Sequence, residues 1–328
     1  MSKILPQQLK PGDEIRVVAP STGIKIIGAE SREIAFRRFS EMGLKVSFGA
    51  NTVDENFDLM GTTSIEKRAA DINEAFANPK VKAIFTIIGG FNSNQLLPFL
   101  DYELLKKNPK IVCGFSDITA LLNGIYAKTG MVTFLGPHYS SFGMKHGFDY
   151  SWAAMRQMLM SGAEAEIEAS AEWSDDLWFI DQEKREFIKN EGWWKIQPGE
   201  AVGTLVGGNL GTLMLLLGTA YWPGFREDTI LLAEDCFGSA GDAKSFLRNL
   251  QALAYQPDFK NVKAVFIGRF QKASGMTREL MEYIIASIPQ LKGVPVIANM
   301  DFGHTTPLLT LPIGGRAEVS SDGLLIHA

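Results

Sequence analysis

Ser116 is the residue whose surroundings most favour nucleophilic chemistry. It lies in Gly114-Phe115-Ser116-Asp117-Ile118, between a predicted buried strand and a helical run. At such a junction the hydroxyl is exposed on a tight turn, where free N–H groups at the helix start can stabilise an oxyanion. A plain helix cap is the alternative, since Ser followed by Asp is common at caps and the second glycine of a Gly-x-Ser-x-Gly elbow is missing.

A second glycine-rich turn, IIGGFNS at residues 87–93, follows another predicted buried strand. Gly89 and Gly90 would let the backbone approach a ligand closely, and the Gly90 N–H could be a second oxyanion donor. The alternative is a tight turn whose backbone needs a positive φ. The segment matches neither a P-loop nor the G-x-G-x-x-G fingerprint, so it does not predict a nucleotide cofactor.

A serine nucleophile needs a base, and the chain contains four histidines: His138, His146, His304 and His327. His304 lies in the small-residue loop DFGHTTP at residues 301–307, just after a predicted strand. His304 is either the general base or a structural histidine whose side chain hydrogen-bonds to the backbone of its loop. His138 and His327 could each be structural.

A carboxylate normally orients such a base, and Glu234 ends the apolar run 230–233. Asp235 and Asp301 are competing candidates, and Glu234 or Asp235 could instead cap the following turn. We predict no metal site and no other cofactor, because the chain has no His-x-x-x-His motif or His/Cys cluster, and His304 with Glu234 supplies too few ligands.

Four tryptophans lie in and beside the acidic stretch Glu172 to Glu191: Trp173, Trp178, Trp193 and Trp194. Clustered tryptophans most often pack in a core or an interface. Alternatively, a tryptophan in a loop over a cleft could stack on a planar ligand such as a nucleobase.

Elements that alternate between strand and helix must position these residues. Strands are predicted at 14–19, 45–48, 81–88 and 110–115, with helices between them; Thr63 and Glu66 have the spacing of a capping box. This order predicts a doubly wound parallel sheet, whose functional residues lie at the carboxyl ends of the strands.

A second β/α pattern follows Gly199, with strands at 203–206, 229–233, 262–268 and 294–298 and a closing hairpin around Asp322-Gly323. The uncharged stretch 201–225 has the length of a membrane span, but six glycines and Pro223 interrupt it. We interpret it as a strand, a glycine turn and a buried helix.

Composition excludes several classes of protein. The 328 residues suggest two domains at roughly 100 to 200 residues each. Lys and Arg total 32 against 37 Asp and Glu, which argues against nucleic acid or an anionic membrane as partner. Two distant cysteines, Cys113 and Cys236, and a start without an apolar signal segment favour the reducing cytoplasm.

Taken together, the sequence resembles the LD-carboxypeptidase family of serine peptidases, and within it the branch of microcin C immunity peptidases. The similarity runs over nearly the whole chain. The segments that carry it are 88–97 (IGGFNSNQLL), 114–122 (GFSDITALL), 207–210 (GGNL), 232–235 (LAED), 303–307 (GHTTP) and 311–314 (LPIG).

The resemblance implies Ser116 as nucleophile, Glu234 as acid and His304 as base, with the N–H groups of Gly90 and Asp117 as oxyanion donors. It further implies an N-terminal flavodoxin- or glutaminase-like α/β domain (1–165), a C-terminal β/α domain (166–328) that begins with the tryptophan-rich loop, an active site at their interface, and a homodimer. The substrate-binding residues that we predict are Gly89, Asn92, Ser93, Trp178 and Asn209.

Two branches of the family differ in substrate. LD-carboxypeptidases cut peptidoglycan tetrapeptides, whereas immunity peptidases hydrolyse the bond between an aminoacyl group and an adenylate moiety. Segments 92–94 and 172–176 resemble the immunity branch, where a loop tryptophan stacks on adenine. Trp178 is our candidate and Trp173 the alternative. A non-catalytic scaffold is a third hypothesis, against which the complete Ser116, Glu234 and His304 set argues.

Overall fold

The computed structural model describes residues 2–54, 57–162, 164–236, 243–320 and 323–328. The first half alternates strands and helices, as predicted. Its strands are β1 (Glu14–Val18), β2 (Lys45–Phe48), β3 (Val81–Thr86), β4 (Ile111–Gly114) and β5 (Thr133–Leu135). Its helices are α1 (Ala29–Glu41), α2 (Ile65–Ala77), α3 (Tyr102–Lys107), α4 (Thr119–Thr129) and α5 (Asp149–Arg156), with short 3₁₀ turns at Ile24–Ile26, Ser93–Phe99, Ser116–Ile118 and Tyr139–Gly143 and a π turn at Gln157–Ser161.

The second half is richer in strands. They are β6 (Glu164–Ile167), β7 (Glu172–Trp173), β8 (Ile188–Lys189), β9 (Trp194–Gln197), β10 (Ala201–Asn209), β11 (Thr229–Glu234), β12 (Val262–Gly268), β13 (Val296–Met300), β14 (Leu311–Ile313), β15 (Arg316–Val319) and β16 (Leu324–His327). The helices are α6 (Leu210–Met214), α7 (Ala243–Ala254) and α8 (Arg278–Ala286), with 3₁₀ turns at Phe259–Asn261, Lys272–Ser274 and Pro289–Leu291.

Two large sheets organise these elements. The first has the strand order β14-β5-β4-β3-β1-β2, parallel except for β14, which runs antiparallel to β5. The second has the order β6-β16-β15-β10-β11-β12-β13-β9 and is parallel at its centre, from β10 to β13. The predicted fold class, two α/β units built on parallel sheets, is confirmed.

Burial explains why the central strands read as continuous apolar runs. Every residue of β4 and β11 is buried, and the buried hydrophobic side chains of both halves belong to one cluster. Parallel strands covered on both faces have this composition. β14 belongs to the first sheet although it lies in the second half of the chain, so the second half contributes a strand to the sheet of the first. The predicted domain boundary after residue 165 falls within β6 and stays a prediction.

Two local predictions differ from the structure. The cap of α2 is Ser64, whose side chain accepts from the Lys67 N–H, and not Thr63. Gly207 and Gly208 do not form a turn but continue β10, where a Cβ on Gly207 would lie 2.0 Å from the Leu232 carbonyl oxygen. Glycine is needed at 207 because the β11 backbone approaches closely, and at 208 because a Cβ would lie 2.6 Å from the Thr119 Oγ1.

Other predictions from the second half agree. β15 and β16 pair as an antiparallel hairpin, while Asp322 of its turn lies outside the described residues. Across the described ranges, no helix has both the length and the apolar composition needed to cross a membrane.

The segment between β7 and β8, residues 174–187, forms a loop closed at its base. β7 and β8 pair with each other, and Arg185 forms an ion pair with Asp176 at 2.8 Å. Ser174 and Thr306 exchange two backbone hydrogen bonds of 2.8 Å each. This loop, which we call the tryptophan loop, is therefore joined to the loop that carries His304.

Candidate active site

Ser116 lies on a strained turn between β4 and α4. Its φ is 59°, a left-handed value that costs energy for a residue with a side chain and that is concentrated at functional sites. A Cβ on Gly89 would lie 3.1 Å from the Ser116 Oγ. Glycine at 89 therefore leaves room for the serine hydroxyl.

Ser116, His304 and Glu234 form one hydrogen-bonded chain. The His304 Nε2 lies 2.9 Å from the Ser116 Oγ, and its Nδ1 lies 2.8 Å from the Glu234 Oε2. With Nδ1–H donated to the carboxylate, Nε2 is left to accept from the hydroxyl. This is the geometry that an activated serine needs: a nucleophile on a base, and a carboxylate that orients the base.

Backbone positions explain why these side chains meet. Glu234 is the last residue of β11, and its side chain is 2% exposed. His304 is on the loop after β13, where Gly303 has a φ of 107° and a Cβ would lie 2.9 Å from the Glu234 Oε2. Glycine at 303 lets the imidazole sit directly on the carboxylate.

Two opposing effects set the pKa of His304. Burial disfavours the imidazolium and lowers the pKa, but the Glu234 charge, with hydrogen bonds to Cys236 and Glu234, outweighs burial and raises it above the ordinary value. The site thus stabilises the protonated base that forms when the serine loses its proton.

Asp301, a competing orienter in the sequence analysis, is engaged elsewhere. Its buried carboxylate pairs with Arg269 at 2.8 Å and accepts hydrogen bonds from Ser170 and Trp193. It therefore fixes the start of the His304 loop without contacting the imidazole. Asp235, the other competitor, lines the cleft beside Glu234.

The remaining histidines differ in position. His146 and His327 lie near the carboxylates of Glu183 and Glu164, away from Ser116. His138 is buried in the cleft wall, stacks on Phe115 with ring centroids 4.2 Å apart, and has its Nδ1 2.7 Å from the Thr86 Oγ1. Burial and the neighbouring His304 lower its pKa to about 3, so the ring stays neutral. Sequence reasoning did not assign His138 to the cleft.

The two predicted oxyanion donors lie on adjacent loops. Gly90 has a φ of 152°, and its N–H, like that of Asp117, donates to no other described residue. Ser93 joins the loops: its N–H donates to the Asp117 carboxylate at 2.9 Å, and its hydroxyl donates to the Asp117 carbonyl at 2.7 Å.

The structure places Asn92 and Ser93 differently from the predicted substrate contacts. Ser93 is fully buried, and neither residue lines the cleft. The Asn92 Oδ1 accepts from the Ser21 hydroxyl at 2.8 Å and from Arg68 at 3.2 Å. The side chains of Asn92 and Ser93 therefore bond to other parts of the protein and stabilise the glycine turn.

A cleft of about 610 Å³ opens above Ser116 and His304. Gly89, Asn209 and Trp178, which we predicted as substrate contacts, line it, and their role in binding stays a prediction. Asn209 ends β10 and caps α6, since its Oδ1 accepts from the Thr212 N–H at 3.0 Å. The tryptophan loop adds Leu177 and Phe179 to the opposite wall, next to Trp178.

Trp173, the alternative to Trp178, lies in another place. It packs on Arg269 at 5.3 Å and lines a separate cavity of about 300 Å³. Of the two tryptophans, only Trp178 lines the cleft above Ser116. Within the described part of the chain, no group of three or more His, Cys, Asp or Glu residues is arranged to hold a metal ion.

Comparison with known proteins decides the family. The model of the LD-carboxypeptidase N-terminal domain matches residues 15–136, and that of the C-terminal domain matches residues 202–319. The chain belongs to the LD-carboxypeptidase family. Both matched regions contain residues of the cleft.

Some relatives of this chain are named as carboxypeptidases, and another is named as a microcin immunity protein. A Bacillus subtilis protein, YocD, provisionally named a carboxypeptidase, is 50% identical over 316 residues, covering 96% of this chain and 95% of its own. The microcin C7 self-immunity protein MccF of Escherichia coli is 34% identical over 292 residues, 85% of this chain and 82% of its own.

Solved structures have the same fold. An MccF-like protein from Bacillus anthracis superposes with a TM-score of 0.94 at 48% identity, covering 98% of both chains. MccF in complex with aspartyl sulfamoyl adenosine superposes with a TM-score of 0.87 at 29% identity, covering 99% of this chain and 98% of its own.

Proposed function

We propose that this member of the LD-carboxypeptidase family is a serine hydrolase that cleaves the bond between an aminoacyl group and a nucleotide moiety. The observation that carries the serine mechanism is the hydrogen-bonded chain from Ser116 through His304 to Glu234, with distances of 2.9 and 2.8 Å. The three residues come from three different loops or strand ends and meet at the floor of one cleft.

In the first step, His304 takes the Ser116 proton as the oxygen attacks the acyl carbon. The resulting oxyanion accepts hydrogen bonds from the N–H groups of Gly90 and Asp117. His304 then gives its proton to the departing nitrogen, which leaves an acyl group on Ser116. In the second step, His304 takes a proton from water as the water attacks the ester, and returns the proton to Ser116.

The shape of the cleft supports a substrate with a flat apolar group. Its volume of about 610 Å³ is in the usual range for small-molecule sites. Trp178 is half-buried in the wall, beside the more exposed Leu177 and Phe179. An indole offers the flat surface on which a purine stacks. The relative MccF has been solved with an aminoacyl sulfamoyl nucleotide, which has this shape.

Cleavage of peptidoglycan tetrapeptides is the second candidate, favoured by the family description of both matched domains. Such a peptide ends in a carboxylate, for which the cleft would be expected to supply a cation. The described residues that line the cleft include no Lys or Arg. A nucleotide phosphate is an anion as well, so our preference for the aminoacyl nucleotide rests on the flat apolar surface of Trp178.

The deciding experiment exposes the purified protein to alanyl sulfamoyl adenosine and to a muropeptide tetrapeptide in parallel, with products identified by mass spectrometry. The Ser116→Ala variant is the control for contaminating activity. We expect release of alanine and sulfamoyl adenosine by the unsubstituted protein alone. If the tetrapeptide loses its terminal D-alanine and the adenylate analogue stays intact, the protein is a carboxypeptidase of cell-wall recycling and our proposal is wrong.

Two further elements of the proposal concern the whole molecule. A homodimer in the cytoplasm is expected from the family resemblance. Light scattering coupled to size-exclusion chromatography measures the mass in solution, and a mass near that of one chain would remove the dimer from the proposal.

A further inference from the structure

The charges that line the cleft are unevenly balanced. Four aspartates take part in the lining, and no Lys or Arg does among the described residues. The sequence of the undescribed stretch 237–242 contains no Lys or Arg either. Lys244, at the start of α7, is exposed and lies outside the lining.

Three of the four aspartates are accounted for by the protein itself. Asp175 pairs with Lys272 at 3.2 Å, and Asp176 pairs with Arg185 at 2.8 Å. The carboxylate of Asp117 accepts the Ser93 N–H and joins the two loops described above.

Asp235 is the fourth. Like Asp117, it is buried and has no Lys or Arg partner among the described residues. Asp117 is engaged in joining two loops, whereas the Oδ1 of Asp235 accepts the N–H of its own neighbour, Cys236, at 2.9 Å. Burial and the adjacent Glu234 raise its pKa to about 6, so that the group is ionised at neutral pH. A buried carboxylate without a cation costs stability, and such groups are characteristic of binding sites.

The surroundings of Asp235 suit a hydrogen-bond donor. Asn209 lies beside it: its side chain hydrogen-bonds to the Asp235 carboxylate, while its Oδ1 accepts from the Thr212 N–H and hydroxyl at 3.0 Å each. Asn209 thus orients the carboxylate. Elsewhere in the cleft wall, the buried Nε2 of the neutral His138 ring has no hydrogen-bond partner among the described residues. An incoming ammonium therefore finds the Asp235 carboxylate as its acceptor and meets no fixed positive charge from a Lys or Arg.

We propose that Asp235, assisted by Asn209, binds a primary ammonium on the acyl half of the substrate and so determines specificity. This inference rests on the proposed function: in an aminoacyl nucleotide without a basic side chain, the only ammonium is that of the aminoacyl group. Trp178 would take the nucleobase, and Asp235 would hold the amino group while Ser116 attacks the adjacent carbonyl. A substrate whose amino group is acylated loses this contact.

The test compares alanyl sulfamoyl adenosine with its N-acetyl counterpart, which differs only in the charge and size of the amino group. We expect the unsubstituted protein to prefer the free amine by about 30-fold or more in kcat/KM, the lower end of the range for losing one partner of a buried charge pair. Asp235→Asn should abolish the preference by slowing the free amine alone. Asp175→Asn is the matched control, since that carboxylate lines the same cleft but is paired with Lys272, and it should retain the preference.

Two results would overturn the inference. If Asp235→Asn slows both substrates equally, the residue acts through Glu234 and His304 and is a positioning residue. If the variant keeps the preference, the ammonium binds elsewhere.

A failure of the proposed function gives a different pattern, because the unsubstituted protein then cleaves neither compound. In that case calorimetry with Ser116→Ala still tests the ammonium site. Tighter binding of the free amine, lost in the Ser116→Ala/Asp235→Asn double variant, supports the site. Equal binding of the two compounds refutes it.

Discussion

The floor and the rim of the cleft are built in opposite ways. The floor consists of Ser116, His304 and Glu234, which are linked in one hydrogen-bonded chain, and Glu234 is 1% exposed. The rim is the apolar tip of the tryptophan loop, Leu177, Trp178 and Phe179, where Leu177 and Phe179 are 55% and 64% exposed. In the function that we propose, the floor performs the reaction, whereas the rim selects what reaches it.

The largest effect is expected from the floor. Replacing Ser116 or His304 by alanine should lower kcat on the order of a thousandfold or more, because the nucleophile or its base is removed. Circular dichroism and thermal unfolding should show an intact fold, since Ser116 and His304 are partly exposed. A near-normal kcat in either variant would eliminate the serine mechanism.

Glu234→Gln should lower kcat by about a hundredfold or more, since the carboxylate orients and stabilises the imidazolium. The pH profile sharpens the test. Glu234 raises the pKa of His304, so the imidazole stays protonated up to a higher pH. Only above that pH is it neutral and able to accept the Ser116 proton. Removing the charge should shift the acidic limb of kcat/KM to lower pH. A limb that stays in place would mean that Glu234 does not set the pKa of the base.

Gly90→Ala should cost about a hundredfold in kcat, comparable to losing one oxyanion donor. The added methyl group would meet the Ser21 Oγ at 2.1 Å, at a φ of 152°, and would displace the N–H. Gly12→Ala is the matched control, because Gly12 has a φ of 99° with open space around it. Equal kcat values in the two variants would exclude Gly90 as a donor.

The smallest effect is expected at the rim. Trp178→Ala should raise KM for an adenylate substrate by about tenfold with little change in kcat, since one stacked base contributes about 1–3 kcal/mol. Trp173→Ala, in the separate cavity, should leave KM unchanged. If Trp178→Ala lowers kcat and leaves KM alone, the distinction between floor and rim does not hold.

The sequence was sufficient to predict the elements that carry the floor. β4 and β11 are apolar runs that end at a serine turn and at a glutamate, and the loop after β13 brings His304 to the same side. Parallel strands of one sheet gather their carboxyl ends at one edge, so Glu234 and His304 were expected to meet. Ser116 belongs to the other sheet, and its approach to them was expected only from the family resemblance. Their catalytic roles, like the oxyanion donors and the dimer, stay predictions.

Long-range contacts could not be predicted. The pairing of β14 with β5 joins segments more than 170 residues apart, and no local pattern announces it. Asn92 and Ser93 were predicted to contact the substrate because segment 92–94 resembles the immunity branch, but in the structure their side chains bond to Ser21 and Asp117. The unpaired charge of Asp235 becomes visible only when the ion pairs of the other cleft aspartates are known.

The closed base of the tryptophan loop bears on how substrate specificity can change among related proteins. Ser174 and Thr306 are joined through their backbones, and Asp176 and Arg185 hold the two ends of the loop together. Gln182 is a further anchor, since it is buried and bonds to the Lys145 N–H and the Gly143 carbonyl. Residues 177–180, which are exposed except for the half-buried Trp178, can change without disturbing these anchors. We expect related hydrolases to acquire new substrates through substitutions there while their reaction chemistry stays the same.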